Sequence, residues 1–214
     1  GNVIATNLLT LALGKINAGS FDLIIPPSGS ISGGSATSYV IADGTGSLKQ
    51  HVNGAISFPI GTATSYLPIT LDNTGSPDSF SANIFQSVTE DGLPGGIQVV
   101  DYADYVKYTW RVVEENPGGS DLAVTVQWNG LPDENPGFQS TDCSLGFHNG
   151  ISWSSETPSP ALGLVPYTKT RAGIPGGGSF SVGNRCTRAG DHQPPVVSCP
   201  ADITHTADEG ECSY

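Results

Sequence analysis

The chain has 214 residues, of which only 13% are charged while 28 are Gly and 16 are Pro. Twenty acidic against eight basic residues leave a net charge of −12, which argues against nucleic acid and anionic membranes as partners, because both require clustered Lys and Arg. This composition opposes helical bundles and favours short strands joined by Gly and Pro turns. No apolar run is long enough to cross a bilayer, and without a signal peptide at Gly1 we expect a piece of a longer polypeptide.

Residues 1–53 are predicted to form an N-terminal β segment. Its apolar pieces are only a few residues long, and small Gly and Ser corners separate them, which is typical of stacked β-solenoid turns. Their spacing fixes no period, so ordinary sandwich strands stay the alternative. The predicted strands cover residues 3–5, 8–13, 21–25, 30–32 and 38–41.

Three dipeptides favour the positive φ angles of two-residue hairpin turns: Asp43-Gly44, Asn53-Gly54 and Asn149-Gly150. The first predicts a hairpin between residues 38–42 and 45–52, and the second predicts another between 45–52 and 55–60. The third predicts a hairpin between residues 144–148 and 151–155, with His148 exposed beside the turn.

Residues 54–186 are predicted to form a β-sandwich domain. The clearest strand is 122–128, where Val124, Val126 and Trp128 alternate with Thr125 and Gln127, so that one face is buried. Further strands are predicted at residues 66–72, 78–88, 105–114, 167–171 and 179–182. No segment combines helical apolar spacing with usable caps, so the predicted fold class is all-β, with an immunoglobulin-like β-sandwich.

A proline-containing linker is predicted at residues 187–195, followed by a second unit at 196–214 that is too short to bury a core by itself. The four cysteines allow three disulfide pairings, of which we favour Cys143 with Cys186 and Cys199 with Cys212. Disulfides indicate an oxidising, extracytoplasmic compartment. Metal ligation is a weaker alternative because zinc spacing is absent, and buried free thiols are another.

The C-terminal unit contains a specific pattern: Pro194-Pro195, then Cys199-Pro200-Ala201-Asp202-Ile203, then Asp208-Glu209-Gly210 before Cys212. In these residues it closely resembles the opening of an HYR (hyalin repeat) module. The resemblance covers about a tenth of the chain. It implies the first strands of an immunoglobulin-like extracellular module linked to adhesion.

Several strings within residues 30–184 carry a second resemblance. They include Phe58-Pro59-Ile60-Gly61, Tyr66-Leu67-Pro68-Ile69-Thr70-Leu71, Val126-Gln127-Trp128-Asn129, Asn149-Gly150-Ile151-Ser152-Trp153 and Ser179-Phe180-Ser181-Val182-Gly183. In these strings the chain resembles the surface proteins of Bacteroidetes-type bacteria. The resemblance implies a non-catalytic β-sandwich that follows solenoid-like repeats in long cell-surface polypeptides, and it transfers no catalytic residues.

Candidate chemistry in the sequence is sparse. None of the four histidines (His51, His148, His192, His205) adjoins a nucleophile motif, so we predict no catalytic residues. Calcium ligation by loop carboxylates stays open against solvated charges, with no other cofactor or metal expected. The acidic groups are Glu90-Asp91, Asp101 with Asp104, Glu114-Glu115 and Asp133-Glu134.

Aromatic side chains are the remaining candidates for ligand contacts. Trp110 and Trp128 lie on apolar strand faces and are predicted to pack in the core. Trp153 follows a turn and is expected to be the most exposed tryptophan, so Trp153 or Tyr102 in a groove would favour sugar binding.

The expected function is a non-catalytic structural or adhesive module of a long secreted or cell-surface protein, not an enzyme. Its expected partners are neighbouring modules, identical subunits or a cell-surface glycan, with no nucleic acid and no membrane insertion. The alternatives are a carbohydrate-binding module and an accessory domain of a secreted hydrolase.

Overall fold

A computed structural model describes residues 1–184. The linker at 187–195, the unit at 196–214 and Cys186, Cys199 and Cys212 lie outside the described residues. Within the described part the protein is all-β, apart from one short 3-10 helix, Tyr102–Asp104. The strands are β1 (Val3–Ile4), β2 (Leu8–Leu11), β3 (Ile16–Asn17), β4 (Leu23–Ile25), β5 (Ser30–Gly33), β6 (Val40–Ile41), β7 (Leu48–Phe58), β8 (Ile60–Gly61), β9 (Ile69–Gln86), β10 (Tyr108–Glu114), β11 (Leu122–Trp128), β12 (Cys143–His148), β13 (Trp153–Ser154), β14 (Tyr167–Ile174) and β15 (Gly178–Asn184).

The first eight strands form three parallel ladders. β1, β4 and β7 make the first ladder, β2 and β5 the second, and β3, β6 and β8 the third. The chain therefore visits the first and third ladders three times in the same order. Aliphatic side chains such as Leu23, Val40 and Ile60 are buried. Burial of these side chains drives the stacking of turns that have too few residues to hold a core alone.

The stacked turns and the rest of the protein share strand β7. One edge of β7 pairs in parallel with β4, from Leu23↔Leu48 to Ile25↔Gln50. The other edge pairs with β9 in antiparallel fashion, from Leu48↔Ala82 to Phe58↔Ile69. The hydrogen-bonded sheet is therefore continuous from the parallel to the antiparallel part.

The hairpin predicted at Asn53-Gly54 is wrong, and the boundary predicted between residues 53 and 54 falls inside β7. The strand continues through both residues, and its register with β9 shifts between Val52 and Gly54. Gly54 has φ +80°. A β-bulge with glycine in the left-handed region needs the same positive φ as a tight turn, so the dipeptide fits either structure and local sequence does not choose between them.

The hairpin predicted at Asp43-Gly44 is also wrong. β6 pairs in parallel with β3 and β8, and the chain after Gly44 starts the next stacked turn. A Cβ on Gly44 would lie 2.3 Å from the Gly19 carbonyl oxygen. This glycine is therefore required for close approach between successive turns.

The antiparallel part is organised around β9, an eighteen-residue strand. Its first half pairs with β11 and its second half with β10, while β7 pairs with it between Ile69 and Ala82. From β10 the sheet continues through β15 and β12 to β13, and β14 lies outside β11. The two strands predicted at residues 66–72 and 78–88 are thus mainly one strand. These mixed sheets are consistent with a β-sandwich.

The core contains the side chains that the alternation in β11 predicts. Val124, Val126 and Trp128 are fully buried, which confirms that prediction. Thr125 and Gln127 are half-buried on the other face. Trp110 is also fully buried, as its place on an apolar face predicts.

Candidate functional site

A cleft of about 440 Å³ lies at the end of the sheet where β10 ends and β15 begins. Its volume is in the range of small-molecule sites. The hairpin between β12 and β13 forms one rim, and loops at residues 91–93 and 117–118 form others. The polar side chains that line the cleft are Asp91, Arg111, Glu114, His148, Asn149 and Ser179.

The glycine run at the start of β15 lets the cleft walls approach one another. A Cβ on Gly177 would lie 2.8 Å from the Val112 carbonyl oxygen, and one on Gly178 would lie 2.3 Å from Cε2 of Phe147. The run consists of Gly176, Gly177 and Gly178, and its last residue is the first of β15. Its function in the fold is close packing against β10 and β12.

Arg111 is the cation of the cleft. It lies on β10 between Asn83 of β9 and Ser179 of β15, and it is half-buried. Within residues 1–184 its guanidinium group makes no hydrogen bond and no ion pair. A half-buried guanidinium with five N–H donors can donate hydrogen bonds to a carboxylate or phosphate oxygen of a ligand.

Glu114, the buried carboxylate of the cleft, already has partners. It accepts hydrogen bonds from the Ser120 hydroxyl and from the Gly118 amide, the second at 3.4 Å. These bonds hold the loop after β10 against the sheet. The carboxylate therefore stabilises the loop and does not face a ligand.

His148 was predicted to be exposed, and that prediction is wrong. Its side chain is only 3% exposed and packs edge-on against Trp153, with ring centroids 5.2 Å apart. Gly92 lies over the ring, where a Cβ would be 2.9 Å from Cγ. The loop that carries Gly92 is distant in sequence, so the local turn pattern gives no sign that it covers the histidine.

The two ring nitrogens of His148 differ. Nδ1 accepts a hydrogen bond from the Gly150 amide at 3.1 Å. The buried Nε2 makes no hydrogen bond of ordinary length with the described residues. Burial lowers the pKa of His148, and the Asp91 carboxylate and the backbone of Glu90 oppose that shift. The balance favours a neutral ring with its proton on Nε2.

The aromatic side chains do not form an exposed sugar platform in the described residues. Trp153 is the most exposed of the three tryptophans, as expected, but it is only 9% exposed and its indole N–H donates to the Thr89 carbonyl at 2.8 Å. The same loop that buries His148 explains this difference. The indole N–H of Trp110 donates to the Leu67 carbonyl, and that of Trp128 donates to the Glu134 carboxylate, each at 2.8 Å. Tyr102 is half-buried, and its hydroxyl donates to the Lys107 carbonyl.

The acidic residues serve mainly as hydrogen-bond acceptors for nearby loops. Asp133 is fully buried and accepts bonds from the Ser65 hydroxyl and from both the backbone and the side chain of Asn129. Asp91 accepts a hydrogen bond from the backbone amide of Leu93. Over residues 1–184, no three His, Cys, Asp or Glu side chains come together in a group that could hold a metal ion.

Cys143 lies on β12 as a buried thiol, and burial raises its pKa. A thiol with a raised pKa carries little thiolate and is a poor nucleophile. Cys143 pairs across the sheet with Asn184, the last described residue. Its predicted disulfide partner Cys186 lies outside the described part, as do Cys199 and Cys212, so both disulfides stay predictions.

No protein-family model matches the chain, and neither the curated proteins nor the solved structures contain a match. Among the described residues, none of the helical structure has the length and apolarity that crossing a bilayer requires.

Proposed function

We propose that this chain is a non-catalytic structural or adhesive segment of a long extracellular bacterial surface protein. In this proposal residues 1–61 form a short β-solenoid and the following strands form an immunoglobulin-like β-sandwich. The observation that carries it is strand β7, which pairs in parallel with β4 on one edge and antiparallel with β9 on the other.

The three parallel ladders support the solenoid. Successive turns place Val3, Leu23 and Leu48 in register in one ladder and Ile16, Val40 and Ile60 in another. Solenoid turns contact only their neighbours, so such a stack extends in one dimension. An extended stack suits a stalk that holds other modules away from a cell surface.

The shared strand supports a mechanical role. Force that enters the stacked turns passes to the sandwich through inter-strand hydrogen bonds of β7, without a flexible linker between the two. A second contact strengthens the junction, because the Ile84 amide of β9 donates to the Ala42 carbonyl at the end of β6 at 2.9 Å. The two parts therefore act as one stiff link.

An extracellular location agrees with the predicted disulfides. The pairing of Cys143 with Asn184 brings the end of the described chain beside Cys143, two residues before Cys186 in sequence. Peptide mapping without reduction should find Cys143 linked to Cys186 and Cys199 linked to Cys212. A Cys143–Cys199 link would contradict this scheme. The proposed partners are neighbouring modules or identical subunits.

Single-molecule extension of the whole chain, held at Gly1 and Tyr214, tests the mechanical role. We expect one resolved rupture that releases the stacked turns and the sandwich together. A chain that lengthens gradually, without a resolved rupture, would contradict a load-bearing role.

Arg111 supports a second candidate function, the binding of an acidic glycan in the cleft. Its half-buried guanidinium has no partner among the described residues, and the cleft volume suits one or two sugar rings. A glycan array should then show carboxylated sugars binding to the protein and losing affinity in Arg111→Gln. Lys107→Gln is a matched control, because Lys107 lies outside the cleft lining.

A further inference from the structure

Three Asn-Gly pairs occur in the described chain: Asn53-Gly54, Asn129-Gly130 and Asn149-Gly150. The backbone nitrogen after an asparagine can attack the side-chain amide carbon, and glycine leaves this approach unhindered because it has no side chain. Three features promote such an attack: a base at the backbone N–H, donors at the amide oxygen, and solvent access.

A base is in place at Asn149-Gly150. The Gly150 N–H donates to Nδ1 of His148 at 3.1 Å, so the attacking nitrogen already shares its proton with an imidazole. Nδ1 accepts this bond, which places the ring proton on Nε2 and leaves the Nδ1 lone pair directed at the N–H. Burial of His148 lowers its pKa and keeps this lone pair available at neutral pH.

Donors to the amide oxygen are also in place. Oδ1 of Asn149 accepts the backbone N–H of Ile151 at 2.9 Å and that of Ser152 at 3.1 Å. Two fixed N–H groups on a carbonyl oxygen stabilise the negative charge that develops there when a nucleophile adds to its carbon. Asn149 and Gly150 are both exposed, so water reaches the product.

We propose that Asn149-Gly150 is a self-modifying site at which His148 acts as the base and the Ile151 and Ser152 amides hold the oxyanion. The Gly150 nitrogen gives its proton to Nδ1 and bonds to Cγ of Asn149. The C–N bond of the side-chain amide then breaks, and its nitrogen takes the proton from the imidazolium and leaves as ammonia. Water opens the resulting succinimide to aspartate or isoaspartate.

The other two Asn-Gly pairs lack this arrangement and serve as internal controls. Asn53 lies within β7, and its side chain makes no hydrogen bond with the described residues. Asn129 is held by its amide nitrogen, which donates to the Tyr66 carbonyl at 3.1 Å and to Asp133 at 2.8 Å. For neither pair does a described imidazole accept the glycine N–H.

The modification would change the cleft. Asn149 and Gly150 lie in its lining, together with Arg111, which has no partner within residues 1–184. The product places a new carboxylate on this rim, so the cleft would become more acidic as the protein ages. The modification site is independent of the proposed structural function.

Peptide mass spectrometry of the whole chain, after incubation at neutral pH, tests the proposal without any substitution. Conversion of each asparagine is measured in the folded protein and in protein unfolded by urea. We expect folding to accelerate conversion of Asn149 by at least about tenfold, because a positioned base and oxyanion donors exist only in the fold. We expect folding to slow conversion of Asn53 and Asn129. Conversion of Asn149 at an equal or slower rate in the folded protein would overturn the proposal.

Two variants separate the role of the base His148 from that of the reacting side chain of Asn149. His148→Phe keeps an aromatic ring against Trp153 but removes the base, and it should slow conversion of Asn149 on the order of a hundredfold. Asn149→Gln should slow the reaction strongly, because the longer side chain would have to close a six-membered ring in place of the five-membered succinimide. An unchanged rate at Asn149 in folded His148→Phe protein would overturn the role of His148. If this variant does not fold, the comparison of folded with urea-unfolded wild-type protein decides whether the fold promotes conversion of Asn149.

Discussion

His148 shows how burial of a single side chain makes stability depend on pH. The unfolded chain titrates this imidazole near pH 6.5, whereas burial lowers its pKa in the folded protein against the opposing effects of Asp91 and Glu90. As the pH falls, the unfolded state therefore binds the proton first. Stability from this group is present above about pH 6.5 and is lost as the pH falls below it.

We therefore expect His148→Phe to weaken the acid sensitivity of the fold. Between about pH 7 and pH 5, wild-type protein should lose more unfolding free energy than the variant, because phenylalanine takes up no proton. Urea denaturation at the two pH values, followed by tryptophan fluorescence, measures the difference. Parallel losses in the two proteins would show that His148 does not cause the dependence.

Val126 tests the buried face of β11. Val126→Ala should lower the unfolding free energy by about 1–3 kcal/mol, because it removes buried methyl groups and leaves a cavity. The neighbouring Gln127 is half-buried on the opposite face, so Gln127→Ala is the matched control and should have a much smaller effect. Equal effects in urea denaturation would mean that β11 does not present Val126 to the core.

Single residues were predictable from sequence where their burial follows from local alternation. Val124, Val126 and Trp128 are examples, because every second residue of a strand faces the same side. His148 and Trp153 were not predictable, since the loop that buries them is more than fifty residues away in sequence. The Gly and Pro residues of that loop give no signal that it folds over a distant hairpin.

Among the elements, β11 was predicted with its observed bounds, while β3 and β7 were not. β3 has only two residues, too few for any periodicity to appear. β7 was divided at Asn53-Gly54, because a bulge and a hairpin turn have the same preference for positive φ. The positions of the N-terminal strands were predictable from their short apolar runs. Their parallel pairing was not, because each partner strand lies one stacked turn away in the chain.

The stacked turns depend on glycines at points of close approach, and Gly46 tests this. A Cβ on Gly46 would lie 2.3 Å from the Phe21 carbonyl oxygen in the preceding turn. Gly46→Ala should therefore destabilise the stack, by about 1–3 kcal/mol as for other overpacked sites. Thr45→Ala, at the exposed neighbouring position, is the control and should be nearly neutral. Thermal unfolding of both variants measures the effect, and equal midpoints would show that the turns are not in contact there.

At the scale of the whole molecule, the continuous sheet joins two arrangements that usually form separate domains. The stacked turns pair along one edge of β7, and β9 occupies the other. Apolar burial continues across this junction, since Leu48 and Phe80 belong to one core with Val40 and Trp110. We therefore expect residues 3–184 to open as a single unit.

Hydrogen exchange of individual amides measures whether the stacked turns and the antiparallel strands open together. The amides of Leu23 and Val40, which donate to the carbonyls of Ser47 and Pro59, report on the stacked turns. Those of Val112 and Val124 report on the antiparallel strands β10 and β11. In weakly denaturing urea, all four should exchange through the same global opening, with the same free energy and the same dependence on urea. A contradictory result would be exchange of Leu23 and Val40 through a separate opening of lower free energy, while Val112 and Val124 stay protected. The two parts would then unfold independently and would not form one force-transmitting link.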